Sequence, residues 1–263
     1  MMYAWFISTA LGATPRCTEV GIREITSIQP PHVLVLGERH GTQPDLRRAL
    51  RVVRRLARKA PVTVALEAVH ESGDSTLQAF ARGELPRREL ASALHWQETW
   101  GFPWGPYRPL VHRALRGDTL VAAGPTLESA PDDANFPVPS GYFAILSDAM
   151  AQHPVPPAFQ DKFVRSMAWR DYRIAESARR AWNGEGFLVV VTGRGHVEGG
   201  KGVPWQLAKQ TQAPVTAAIL ARGVDAPCYA GDRIWTVDPM RDLGIDQWFS
   251  TADAKLEATS NPR

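Results

Sequence analysis

The feature that most constrains the fold is a set of short apolar runs spaced by longer amphipathic stretches, two of which stop at the same step. VLVLGERH (Val33 to His40) and VVVTGRGH (Val189 to His196) each end in Gly-x-x-His. Further runs cover Val62 to Glu67, Thr119 to Ala123, Val215 to Ala221 and Ile234 to Val237, and the run of the second Gly-x-x-His begins at Phe187. Val, Leu and Ile on consecutive positions predict strands covered on both faces, and strands alternating with helical stretches predict a parallel sheet. The expected class is therefore α/β, a mainly parallel β-sheet flanked by helices. The chain has 263 residues, 44% hydrophobic and 22% charged, which excludes disorder and collagen.

The same pattern predicts the connections. Between the first two strands, Asp45 to Lys59 carries Leu46, Leu50, Val53 and Ala57 at helical spacing, with Pro44 as a start signal. Arg47, Arg48, Arg51, Arg54, Arg55 and Arg58 are expected on its solvated outer face. They are not read as a phosphate-binding stripe, because a net charge of +3 is only mildly basic and no nucleic-acid partner is expected. Two intervals, about 75–117 and 141–183, are too long for simple crossovers and predict helical insertions forming a smaller subdomain within one domain spanning 1–263. The second ends in a long helix over about Phe159 to Trp182. WGFPWGPY (Trp100 to Tyr107) and Gly124 to Ser140 read as loops.

The chemistry is expected where strands end, because open α/β sheets place ligands at their carboxyl edge. Glu38 and His40 lie two apart in nearly extended chain and should point to one side. Glu67 ends the second strand as Glu38 ends the first, and a right-handed crossover predicts that these strands are near neighbours. His196 follows the fourth run in GRGHVEGGKG, before a helix expected near Trp205 to Gln210. That loop approaches a phosphate-binding pattern, but Gly202 stands where Ser or Thr must follow Lys201. Glu38, His40, Glu67 and His196 are thus the candidate catalytic and metal-ligating set. Two imidazoles and two carboxylates suit Fe, Mn, Zn or Co, and with an open position would generate hydroxide for hydrolysis of a small-molecule or peptide substrate. Without metal, the carboxylates could tune a histidine for acid–base hydrolysis. Trp96, Trp100, Phe102, Trp104 and Tyr107 crowd a short segment. They either sandwich a porphyrin, with Tyr107 or a histidine (His40 or His196) as iron ligand, or lock the helical insertion onto the sheet.

Cys17 and Cys228 are the only cysteines, so no disulfide framework or zinc ribbon is available and at most one long-range bridge can form. The N-terminal AWFISTALGA resembles the apolar part of a signal peptide but lacks a positive leading region. Cytoplasmic localisation is the expectation, with periplasm or secretion as the alternative. No apolar run reaches the roughly 18 residues of a membrane span.

The ordered set LGERH, ALEAVHESGDSTLQAFARGEL, the Trp-rich segment ending WGPYRPLV, MAWRDYRIA and GRGHVEGGKGVPWQL resembles the ChaN-type haem-binding proteins of the Tiki superfamily, from about Val33 to Leu220. The resemblance implies an α/β core with a helical insertion and a site built from Glu38, His40, Glu67 and His196. It further implies haem or iron binding, with tyrosine and histidine involvement and haem held between the subunits of a homodimer. The superfamily also contains metal-dependent proteases and erythromycin esterases, so a metal-dependent hydrolase is the alternative expectation. Asp171, in MAWRDYRIA, falls where the family has an acidic residue and otherwise reads as a helix-surface ion-pair partner.

Overall fold

The computed structural model describes residues 17–114, 119–126, 131, 134–152, 155–222, 229 and 232–237. In chain order the elements are β1 (Thr18–Glu19), α1 (Ile22–Ile25), β2 (His32–Glu38), α2 (Gln43–Leu56), β3 (Val62–His70), α3 (Asp74–Ala81), α4 (Leu90–Ala93), α5 (Trp96–Thr99), α6 (Trp104–Ala114), β4 (Thr119–Gly124), α7 (Tyr142–Gln152), α8 (Gln160–Ala181), β5 (Phe187–Gly193), α9 (Val203–Gln210), β6 (Val215–Arg222) and β7 (Arg233–Val237). The strands form one sheet in the order β1-β7-β6-β2-β5-β3-β4, and each pairing is parallel.

Successive strand side chains face opposite ways, so each apolar run feeds two cores. Leu34, Leu36, Val64, Leu66, Val189 and Val191 pack against Leu46, Val53 and Leu56 of α2 on one face. Val33, Val35, Ala65, Leu188 and Val190 pack against Ile174, Ala175 and Ala178 of α8 and Leu207 of α9 on the other. A smaller cluster, Phe136, Tyr142, Leu146, Met150 and Ala168, joins α7 to α8 within the second insertion.

Three expectations are corrected. The first two long strands are not neighbours, because β5 lies between β2 and β3. The chain leaves β4, passes through α7 and α8, and returns to the gap, which sets His196 between the ends of β2 and β3. Arg48 is not on a solvated face: it is 1% exposed. Its guanidinium donates to the carbonyls of Ala221 and Trp235, each at 2.9 Å, and lies 3.7 Å from Asp45. The ends of β6 and β7 reach over this side of α2, and the Trp235 ring centroid lies 5.6 Å from the guanidinium carbon. Finally, the stretch read as a loop through Tyr107 is helical from Trp104 onward.

Candidate functional site

Strand β2 ends at Glu38, and the side chain of His40 returns to it as the two-residue spacing predicts. The imidazole Nδ1 pairs with Glu38 Oε1 at 2.8 Å. The Tyr107 hydroxyl donates to the same oxygen at 2.9 Å and accepts the Gly41 N–H at 3.0 Å. Glu38 is buried, and its second oxygen has no hydrogen-bond partner among the described residues. Burial raises its pKa against the opposing pull of His40 and Tyr107. Burial and the charge of Glu38 push the Tyr107 phenol far upward, so it remains a hydrogen-bond donor.

Glu67 lies on β3, across the inserted strand. Its Oε2 accepts from the Thr192 hydroxyl and the Gly193 N–H, both at 2.7 Å. Its Oε1 accepts from Arg170 at 3.1 Å and lies 3.3 Å from His196 Nε2. His196 Nδ1 meets Asp171 Oδ1 at 2.6 Å, and the Tyr142 hydroxyl donates to the other Asp171 oxygen. Although burial opposes its charge, the carboxylates of Glu67 and Asp171 raise the His196 pKa to about 10. Burial would raise Glu67, but His196, His40 and Arg170 together hold its carboxyl well below the usual range. Burial raises Asp171, against the pull of His196.

Gly193 lets the two halves meet. A Cβ there would stand 2.8 Å from His40 Nε2 and 3.6 Å from Glu67 Oε2, so the ring of His40 occupies the space a side chain would fill. Gly202 has a similar reason: a Cβ would lie 2.2 Å from the His196 carbonyl oxygen. The residue that spoils a phosphate-loop motif is thus set by backbone contact.

All four candidate residues reach one edge, but as hydrogen-bonded pairs rather than donors around one point. Among the described residues no group of three or more His, Cys, Asp or Glu is arranged to hold a metal ion. The reason is local: both nitrogens of His196 face carboxylates, and both oxygens of Glu67 are occupied. Tyr107, the other expected iron ligand, is also drawn into this network. It is 1% exposed, and its oxygen is engaged with Glu38 and Gly41.

The aromatic segment divides in two. Trp96 packs on Trp104 and Tyr107, with ring centroids 4.7 and 5.1 Å apart, and its indole N–H donates to the Phe102 carbonyl at 2.7 Å. These rings lock the insertion onto the sheet. Trp100 and Phe102 instead flank His40, at 4.6 and 5.2 Å.

Arg170, Tyr142 and Thr192 were not singled out by sequence. Asp171 is buried rather than a helix-surface partner. Its spacing from Ile174, Ala175 and Ala178 is the signal that places it on the buried stripe of α8.

The sheet order reverses around β2 and β5, and histidine–carboxylate pairs gather at that reversal. The fold is thus that of a doubly wound parallel α/β protein, with its histidine–carboxylate pairs at the carboxyl edge where such sheets place ligands. The model of the family described as haem-binding uptake, Tiki superfamily, ChaN matches residues 25–128 and 124–207, and the chain belongs to that family. The ChaN structure of Campylobacter jejuni, described for cofacial haem binding, shares the fold with a TM-score of 0.59 at 17% identity, over 74% of this chain and 83% of that one. Weaker likenesses are the type III effector HopBA1 (TM-score 0.46, 12% identity, 78% of this chain and 87% of that one) and the RRSP toxin effector domain of Vibrio vulnificus (0.46, 17%, 76% and 36%). No protein of curated function matches by sequence. Among the described residues no helix is long and apolar enough to cross a membrane.

Proposed function

We propose that the protein binds haem at the carboxyl edge of its sheet, with His40 as the iron ligand. The observation that carries this reading is the asymmetry of the His40 ring. Its Nδ1 is tied to buried Glu38, while Nε2 has no hydrogen-bond partner among the described residues. A histidine that binds metal commonly has its other nitrogen held by a carboxylate, which fixes the tautomer and raises the basicity of the ligating nitrogen. The side chain is 30% exposed, and Trp100 and Phe102 give it apolar flanks suited to a porphyrin. Haem bound here would supply an iron, and His40 would hold it. Glu38 orients the ring, Tyr107 fixes Glu38, and the His196 side of the network braces Glu67 beneath it. Titration of the full chain with haemin should give a Soret shift of imidazole type that His40→Ala abolishes. A featureless wild-type titration, or a shift unchanged in His40→Ala, overturns the assignment.

A hydrolase reading is favoured by one observation: both Nδ1 atoms are anchored by carboxylates, and Glu67 feels the charge of both histidines, with His196 Nε2 at 3.3 Å. In that reading His40 takes a proton from water while Glu38 steadies the ring, and cationic His196 and Arg170 hold developing negative charge. Ester or peptide turnover that His40→Ala removes would support it. Stoichiometric Fe, Mn, Zn or Co on elemental analysis, with chelator-sensitive turnover, would identify its metal-dependent form.

Export to an oxidising compartment, rather than the cytoplasm, is supported by the disulfide at Cys17. Cys228, the other cysteine of the sequence, lies outside the described residues, as does the signal-like N-terminus. Alkylation of native protein without reductant should leave the mass unchanged if the bridge forms in the cell. Two alkylated thiols would reject it.

A further inference from the structure

Beside His40, a cavity of about 380 Å3 opens where β3 and β4 end, and Glu67, His70, Glu98, Trp100, Thr126 and Arg170 contribute to its wall. Trp100 is a shared wall: it lines this space and touches the His40 ring at 4.6 Å. A flat ligand resting on Trp100 therefore lies next to the ring proposed to bind iron.

The polar groups of the cavity are unevenly committed. Glu67 is 1% exposed with both oxygens occupied, so it offers no acceptor to a ligand. Arg170 is 28% exposed and spends one nitrogen on Glu67 at 3.1 Å, its single polar contact among the described residues. A guanidinium has five N–H donors in a planar fork that matches a carboxylate in two parallel bonds. Most of that fork is uncommitted. His70 adds a second donor group in the tautomer whose Nδ1 accepts from the Ser72 hydroxyl, at 2.9 Å, which leaves Nε2–H for a ligand. Glu98 is the competing acid on the wall, and it is exposed to solvent.

We propose that this cavity is a carboxylate subsite, in which Arg170, assisted by His70, receives the carboxylate of a ligand whose flat apolar body lies on Trp100. The inference rests on the haem reading of the same edge, since a porphyrin joins a flat body to propionate carboxylates. It specifies which end of the ligand is held and by what.

The test removes iron from the question. Metal-free protoporphyrin IX and its dimethyl ester have the same ring and differ in charge, and their binding to the full chain is read by porphyrin fluorescence. The free acid should bind at least about tenfold more tightly than the ester, as one charge-assisted pair supplies. Arg170→Gln should reduce that preference to less than about threefold, while Arg170→Lys, which keeps the cation beside Glu67, should retain part of it. Thermal melts of both variants report whether the fold is kept. Equal wild-type affinity for acid and ester, or an undiminished preference in folded Arg170→Gln, overturns the subsite. Failure of the haem reading shows separately, as a wild-type haemin spectrum without an imidazole-type shift. Acid preference that persists in that case supports the subsite for another carboxylate-bearing ligand.

Discussion

His40 and His196 reach the same sheet edge from adjacent parallel strands, through the same Gly-x-x-His step, and each ties Nδ1 to a carboxylate. Their surroundings differ. The side chain of His40 is 30% exposed and Nε2 is uncommitted, whereas that of His196 is 7% exposed and faces carboxylates through both nitrogens. One motif has thus produced an available ring and an internal cation. The difference comes from α8, which lays Asp171 and Arg170 over the end of β5, while the Trp100–Phe102 loop and Tyr107 of α6 cover the end of β2 and leave His40 Nε2 uncommitted. A histidine at a strand end is defined by what packs above it.

The comparison breaks most readily at His196. His196→Ala removes the cation between two buried carboxylates and should cost about 3–5 kcal/mol in urea unfolding. A loss below about 1 kcal/mol would show that the imidazole is not the structural cation. The pH dependence has a definite sign. The folded pKa of His196 is raised from 6.5 to about 10, so its contribution is complete below pH 6.5 and lost as pH rises toward 10. Glu67 is depressed, so its contribution is present above the ordinary value of 4.5 and lost as pH falls through the folded value. Urea midpoints across this range should fall at the alkaline end in wild type, and the decline should flatten in His196→Ala.

Tyr107→Phe takes a hydrogen bond from buried Glu38 and should cost about 1–3 kcal/mol while leaving the haemin spectrum in place. A lost spectrum in a folded variant would make Tyr107 the ligand in place of His40. His40→Ala should lower stability by only about 1 kcal/mol, since the imidazole is 30% exposed and Tyr107 still holds Glu38, yet abolish the imidazole-type spectrum. Equal stability losses for His40→Ala and His196→Ala would erase the distinction between the two rings. The smallest effect is expected at Phe102, which is 38% exposed. Phe102→Ser should change stability by no more than about 0.5 kcal/mol and weaken haemin binding a few-fold.

The strands were highly legible. Val33 to Glu38 is observed as His32–Glu38, Phe187 to Thr192 as Phe187–Gly193, and Val215 to Ala221 as Val215–Arg222. Consecutive β-branched and aliphatic residues bounded by glycine leave few alternatives to a buried strand. Strand β1, two residues long, was not legible, because its pairing with β7 carries no periodic pattern. Glu38 with His40 was legible for a stereochemical reason, since residues two apart in extended chain share a side. Arg48 was misread because helical spacing alone does not reveal that the ends of β6 and β7 reach over its side of α2.

Periodicity and strand-end chemistry are properties of neighbouring residues, so the chain's local pattern was enough to set the parallel α/β class and deliver His40 and His196 to the carboxyl edge. The insertion of β5 between β2 and β3, the burial of Arg48, and the convergence of Arg170, Asp171 and Tyr142 on His196 and Glu67 depend on contacts between residues tens of positions apart. Packing sets those contacts, and packing made one imidazole a buried cation and left the other open to a ligand.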